Sequence, residues 1–191
     1  PPGDLPQLRH GKALVPWRKA IRYLKQVTNK KYDIDQTLTK EQRATAEAFC
    51  VMLQTTLHDA LLYSYFGDLK RFETSTKPLM KASMVAPLRW FVPSRVRTQK
   101  LAYLKDVGMD TPLAVRQEVI ACYRALDVKL GKKPFLFGDK PSSADALLYG
   151  HLDAAQGQLL GNWLNDAGFR NLRRFYEAVR KEYFDDAATD G

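Results

Sequence analysis

GKKPFLFGDKPSSADALLYGHLDAA, residues 131–155, is the stretch whose reading decides the fold. Within it, Pro141-Ser142-Ser143-Ala144-Asp145 has the form of a capping box. Ser142 at the N-cap accepts from the N–H of Asp145, whose carboxylate reaches back to the N–H of Ser142. Asp stands where Glu or Gln is commoner, which shortens the reach. The spacing predicts a helix over 144–160. Its first half is apolar or small on nearly every face (Ala146, Leu147, Leu148, Tyr149, Gly150, Leu152), the pattern of a helix buried all round inside a larger domain.

Working outward, Thr111 with Pro112 at the first helical position predicts a helix reaching Leu130, where Gly131 stops it. Thr39 opens a second capping box with Gln42. A helix from Lys40 to Phe66 follows, with Phe49, Cys50, Leu53, Leu57 and Leu61 at three and four spacing, and Gly67-Asp68 ends it. Pro78, Pro87 and Pro93 break the next segment, so the expectation is a short helix over 79–86 and another from Ser94 to just before Gly108. A last helix over 171–184 buries Leu172, Phe175, Tyr176 and Val179.

The first 27 residues differ. Leu5 to Val15 reads as two short strands around a His10-Gly11-Lys12 turn, and Trp17 to Gln26 has apolar residues on one helix face. A polar linker leads to the acidic turn Asp33-Ile34-Asp35. The expected organisation is a strand, strand, helix unit at 1–27, a linker at 28–38, a helical bundle at 39–185 and a tail at 186–191.

Length and composition suit one soluble-type domain, with 45% hydrophobic and 27% charged residues. No apolar run approaches the roughly 18 residues of a membrane-spanning helix. Cys50 and Cys122 lack CxxC spacing and are expected as buried free thiols. His10, His58 and His151 show no ligand pairing, so no metal site is expected. The Pro-Pro-Gly start lacks an initiator Met, and further sequence is expected upstream of Pro1.

A strand, strand, helix unit followed by a linker and an all-α domain with a late Ser-x-x-Asp box resembles the glutathione transferase architecture. More narrowly, Phe135-Leu136-Phe137-Gly138-Asp139-Lys140-Pro141-Ser142-Ser143-Ala144-Asp145 with Tyr149-Gly150-His151-Leu152 is similar to the metaxin branch of that superfamily, in which "FFFGD-P-S-DA" and "GHL" recur. Leu5 to Gly11, Leu38 to Ala44 and Ala60 to Tyr65 are similar to the same branch. The implied fold is mainly α: a transferase-like C-terminal bundle preceded by a β-hairpin and helix, the end of a thioredoxin-like domain.

The resemblance also says where glutathione would sit. Leu5-Pro6 fills the position of the cis-proline pair, and a cis bond is expected there. Trp17-Arg18 occupies the place of the acidic residue and Ser that open the following helix. Trp17 cannot pair with the glutathione ammonium, and Arg18 is no substitute for a compact hydroxyl, although a guanidinium still binds carboxylates. The activating Tyr, Ser or Cys of such enzymes belongs to an earlier strand and helix. These four positions are degenerate, and no cofactor and no catalytic residue are expected.

Charge is concentrated in one place. Over 70–105 nine bases face one acid, Glu73, and supply eight of the nine net positive charges. Leu79, Met80, Met84, Val85, Leu88 and Val92 accompany them. Lys77, Lys81, Arg89, Trp90, Phe91, Arg95, Arg97 and Lys100 are the candidate docking residues. Three readings stay open: a solvated basic face with its apolar residues turned into the bundle, docking to an acidic protein partner, or contact with an acidic lipid surface. No nucleic-acid reading motif accompanies the charge, and no nucleic acid is expected.

Metaxin resemblance implies a non-catalytic subunit of an outer mitochondrial membrane assembly. It would serve in import and β-barrel insertion, or as an accessory subunit of another mitochondrial complex, in the company of other protein subunits. The tail is expected to hold no anchor of the kind some relatives carry, which leaves partners or the basic segment to bring the chain to a membrane. The alternative is a cytoplasmic location or a glutathione transferase whose catalytic N-terminal residues are missing from this chain, with Tyr63, Tyr65, Trp90 and Phe91 lining an apolar cosubstrate pocket.

Overall fold

The computed structural model describes residues 7–29, 31, 33–157, 159–166 and 168–184. Leu5, Pro6 and the tail lie outside the described residues, as do the side chains of Trp17 and Arg18. The chain starts with strands β1 (Gln7–His10) and β2 (Ala13–Pro16), paired antiparallel with His10 opposite Ala13. The two-residue turn needs Gly11, whose φ of 60° is open to glycine at no steric cost. Helix α1 (Trp17–Val27) follows. The Tyr23 hydroxyl lies 2.9 Å from His10 Nδ1, tying the hairpin to the helix.

The long helix predicted from Lys40 is one axis in three parts: α2 (Lys40–Met52), a π-helical turn (Leu53–Leu57) and α3 (His58–Phe66). The Thr39–Gln42 capping box closes as read. Leu53 and Leu57 in the π turn are fully buried. Gly67 follows because a Cβ there would stand 2.6 Å from the Tyr63 ring. Asp68 then caps the short α4 (Leu69–Arg71). A second π turn (Phe72–Thr76) leads into α5 (Lys77–Ala82).

Helix α6 runs from Leu88 to Asp106, six residues earlier than the prolines suggest, and encloses Pro93. Proline interrupts a helix by lacking the N–H that would reach the carbonyl four residues back, here that of Arg89. Arg89 is exposed, so water serves its carbonyl and the interruption costs little. Among the described residues the cis X–Pro bond is Ala86–Pro87.

Helices α7 (Pro112–Leu130), α8 (Ser143–Ala155), α9 (Leu159–Asp166) and α10 (Arg170–Tyr183) complete the bundle. Helix α7 packs on α3, α9 and α10, and α8 on α2, α9 and α10. Val115, Val119, Tyr123, Leu126, Leu136, Leu148, Leu152, Leu172 and Phe175 form the core between them. Burying a side chain of this kind contributes about 1.5–3 kcal/mol, so these helices carry the stability of the chain.

Two readings of α8 are corrected. It ends at Ala155 rather than 160, because Gly157 turns the chain at φ 67° and Gly161 lets α9 approach the Ala155 carbonyl. Nor is it buried all round: Leu148, His151, Leu152 and Ala155 face inward, while Ala146, Gly150 and Ala154 face solvent.

Candidate functional site

Two regions carry polar chemistry. The first joins α1 to the bundle. Lys25 of α1 lies 2.9 Å from Asp33 and 2.5 Å from Asp35, both buried in the linker. Asp35 also accepts from the N–H (2.8 Å) and hydroxyl (2.6 Å) of Ser143 at the start of α8. Burial works against all three charges, yet the hydrogen bonds outweigh it. Lys25 is held above the usual lysine range, and Asp33 and Asp35 below the usual carboxylate range. Removing one partner would leave a buried charge unmatched, which is the costly case.

Beside this clasp, Ser142 donates to the Asp145 carboxylate from its N–H (2.9 Å) and its hydroxyl (2.5 Å). The other Asp145 oxygen accepts from Leu136 N–H at 2.8 Å. Burial pushes the Asp145 carboxyl up against the pull of these donors. Its role is to tie the 131–142 loop to the head of α8.

A cavity of about 300 Å³ opens next to the clasp, lined by Arg22, Lys25, Asp35, Arg43, Glu47, Cys50 and Ser143. Its charged groups are satisfied by one another or by backbone carbonyls. Arg22 pairs with Glu47 at 2.7 Å, and Arg43 donates to the carbonyls of Leu38 and Gln36. Cys50, half-buried there, is pushed up to about 11, chiefly by burial and also by Glu47 and Asp35. Cys122 is likewise pushed up to about 11. Both thiols stay protonated at neutral pH and are poor nucleophiles. Among the described residues no group of His, Cys, Asp and Glu is placed to hold a metal ion.

The second region is the corner between α5 and α6. Trp90 is 78% exposed, Leu79 72%, Val85 70% and Phe91 53%. The apolar residues at this corner are therefore not turned into the bundle, apart from half-buried Met80, Met84 and Val92, whereas Phe72 and Leu104 at the two ends of the basic segment are buried. The reason is local. The first turn of α6 projects at all four positions from Leu88 to Phe91, and the helix first seats itself at buried Pro93.

The candidate cations divide. Arg97 donates to the carbonyls of Phe66 (3.0 Å) and Gly67 (3.2 Å) and lies over the Phe72 ring, so it closes the end of α3. Lys77 pairs with Glu73 at 2.7 Å one turn earlier, and Lys100 is half-buried. Lys81, Arg89 and Arg95 are exposed beside Trp90 and Phe91 in the sequence. The four aromatics of the cosubstrate reading do not come together: Tyr63 is in the core with Tyr65 packed against it, and Trp90 and Phe91 stand in solvent.

The profile of the Tom37 family, described as outer mitochondrial membrane transport complex protein, matches residues 1–97. That of the glutathione S-transferase C-terminal domain matches residues 119–179. Metaxin-3 of Danio rerio is 27% identical over 98% of the chain and 63% of its own length. Metaxin-1 of Mus musculus is 30% identical over 80% of the chain and 50% of its own length. Metaxin-2 of Homo sapiens is 26% identical over 97% of the chain and 72% of its own length. The chain thus spans about half to two thirds of the first two relatives. A glutathione S-transferase from Xylella fastidiosa aligns with a TM-score of 0.56 at 17% identity, over 97% of this chain and 73% of that one. That similarity establishes a shared fold.

Proposed function

The chain belongs to the Tom37 family of outer mitochondrial membrane transport complex proteins and is similar to metaxins over most of its length, and from that membership we propose that it is a non-catalytic docking subunit. Its association is with the outer mitochondrial membrane, where a transferase-type fold serves as scaffold for other subunits of a protein-transport assembly.

The observation that carries the reading is the α5–α6 corner. Solvent-facing Leu79, Val85, Trp90 and Phe91 among cations make a surface of the kind that marks an interaction site on a folded domain. The corner lies inside the stretch matched by the Tom37 profile. Support also comes from the other end of the chain. Trp17 and Arg18 stand at the head of α1, where a transferase of this architecture would place an acid and a hydroxyl. Cys50, which lines the cavity beside the Lys25–Asp35 clasp, is held protonated by burial.

The test is affinity capture of the full-length protein from detergent-solubilised outer mitochondrial membranes, wild type against Arg89→Glu/Arg95→Glu. Recovery of integral membrane subunits with the wild type, and their loss in the variant, is the expected result. Wild-type protein that leaves the membrane fraction alone overturns the docking role.

A further inference from the structure

From residue 74 to residue 105 the chain carries seven bases and no acid. Helix α6 up to its last residue, Asp106, its approach and the corner between them thus hold one sign of charge. At that corner the apolar side chains stand clear of the bundle. In an α-helix successive residues are 100° apart, so four consecutive exposed positions, Leu88 to Phe91, cover the whole circumference. The first turn of α6 is therefore a projecting end, not one wall of a groove. Val85 in the preceding connection and Leu79 on α5 add apolar surface beside it.

The shape and chemistry together select the partner. A protein partner would bury a projecting Trp and Phe in a preformed pocket and would meet the cations with acids at fixed points. A bilayer surface supplies a deformable apolar layer beneath a plane of anionic headgroups. That arrangement suits aromatic side chains at the acyl boundary and long cationic side chains whose stems lie along it while their charges reach outward. Uniform positive sign over 74–105 matches a uniformly anionic plane, and each Lys or Arg held near such a surface favours binding roughly fivefold.

We propose that the α5–α6 corner inserts into the headgroup region of an anionic lipid surface. Trp90 and Phe91 reach the acyl boundary, and Lys81, Arg89 and Arg95 contact headgroup phosphates. Arg97, engaged with the end of α3, stays with the fold. This rests on the docking reading in one respect only, that the protein works at a membrane.

The test is sedimentation of the full-length protein with vesicles of phosphatidylcholine alone, and of phosphatidylcholine with about 30 mol% phosphatidylserine. The expected result is at least about tenfold stronger association with the anionic vesicles, reversed by about 0.5 M salt. Arg89→Glu/Arg95→Glu and Trp90→Ser/Phe91→Ser should each abolish it. Because these side chains are exposed, the variants keep the wild-type circular dichroism and melting temperature, which separates lost binding from lost fold. Equal association with both vesicle types, or variants that bind like the wild type, overturns the proposal. Wild-type protein that ignores anionic vesicles but captures membrane subunits through Arg89 and Arg95 overturns it in favour of an acidic protein face, and leaves the docking role standing. Vesicle binding without capture of any subunit sustains the lipid site and refutes the docking role.

Discussion

Asp35 and Ser143 meet across 108 residues of chain: the linker carboxylate accepts both the backbone N–H and the hydroxyl at the first turn of α8. The same carboxylate pairs with Lys25, so one side chain joins the N-terminal hairpin unit, the linker and the bundle. An anion at a helix N-terminus is stabilised by the free N–H groups and the dipole there.

Asp35→Ala should therefore destabilise the chain by about 2–3 kcal/mol, through loss of the cap and exposure of Lys25 to a single partner. Thermal melting checks it, with a Ser143→Ala cycle to isolate the shared part. Little effect in the single variant would mean that the clasp is passive.

Gly161 and Gly150 should respond in opposite senses to alanine. Both are helical, and alanine gains about 1 kcal/mol in helix propensity at such a site. At Gly161 a Cβ would stand 2.6 Å from the Ala155 carbonyl oxygen, whereas at exposed Gly150 nothing lies within 4 Å. Overpacking costs about 1–3 kcal/mol, which outweighs propensity at the first site and is absent at the second. Gly161→Ala should lower the melting temperature and Gly150→Ala should raise it.

His151 gives the protein an acid-sensitive window. Burial, aided by the charge of His58, lowers it from 6.5 to about 4. Between those values the unfolded chain binds the proton and the folded chain does not, so stability falls as pH drops from about 6.5 towards 4. The limit is about 3 kcal/mol for a shift of this size. Asp145, raised by burial, acts in the opposite direction below the neutral range. Denaturant titrations of wild type and His151→Gln at several pH values isolate the histidine, and the difference between them should shrink as pH falls.

The cations of the basic segment should sort by what they touch. Arg97→Ala removes two hydrogen bonds at the end of α3 and should cost about 1–2 kcal/mol in stability. Arg89→Ala and Arg95→Ala should leave stability within about 0.5 kcal/mol and weaken docking. Parallel melting and capture measurements on the three variants check the division.

What could be read before the structure follows from the range of the interactions. Capping at Thr39, Thr111 and Ser142 involves residues within three or four positions, so the boundaries it sets are legible in the sequence. Asp35 reaching Ser143, and Asp127 of α7 accepting from Asn171 and Leu172 at the head of α10, join distant segments and leave no local pattern. An acid within a helix looks like a solvent-facing residue. At the α5–α6 corner the residue types are visible, but three prolines conceal the periodicity that would show which way Trp90 and Phe91 face. Only the early start of α6 reveals that they face outward.

If a transferase-type fold works here by docking and not by turnover, glutathione finds no productive site on it. Calorimetric titration of the full-length protein with reduced glutathione, paired with an assay for conjugation of an electrophile, tests this most directly. No saturable heat up to millimolar glutathione and no conjugate above the uncatalysed rate are expected. Millimolar or tighter binding accompanied by turnover would contradict it.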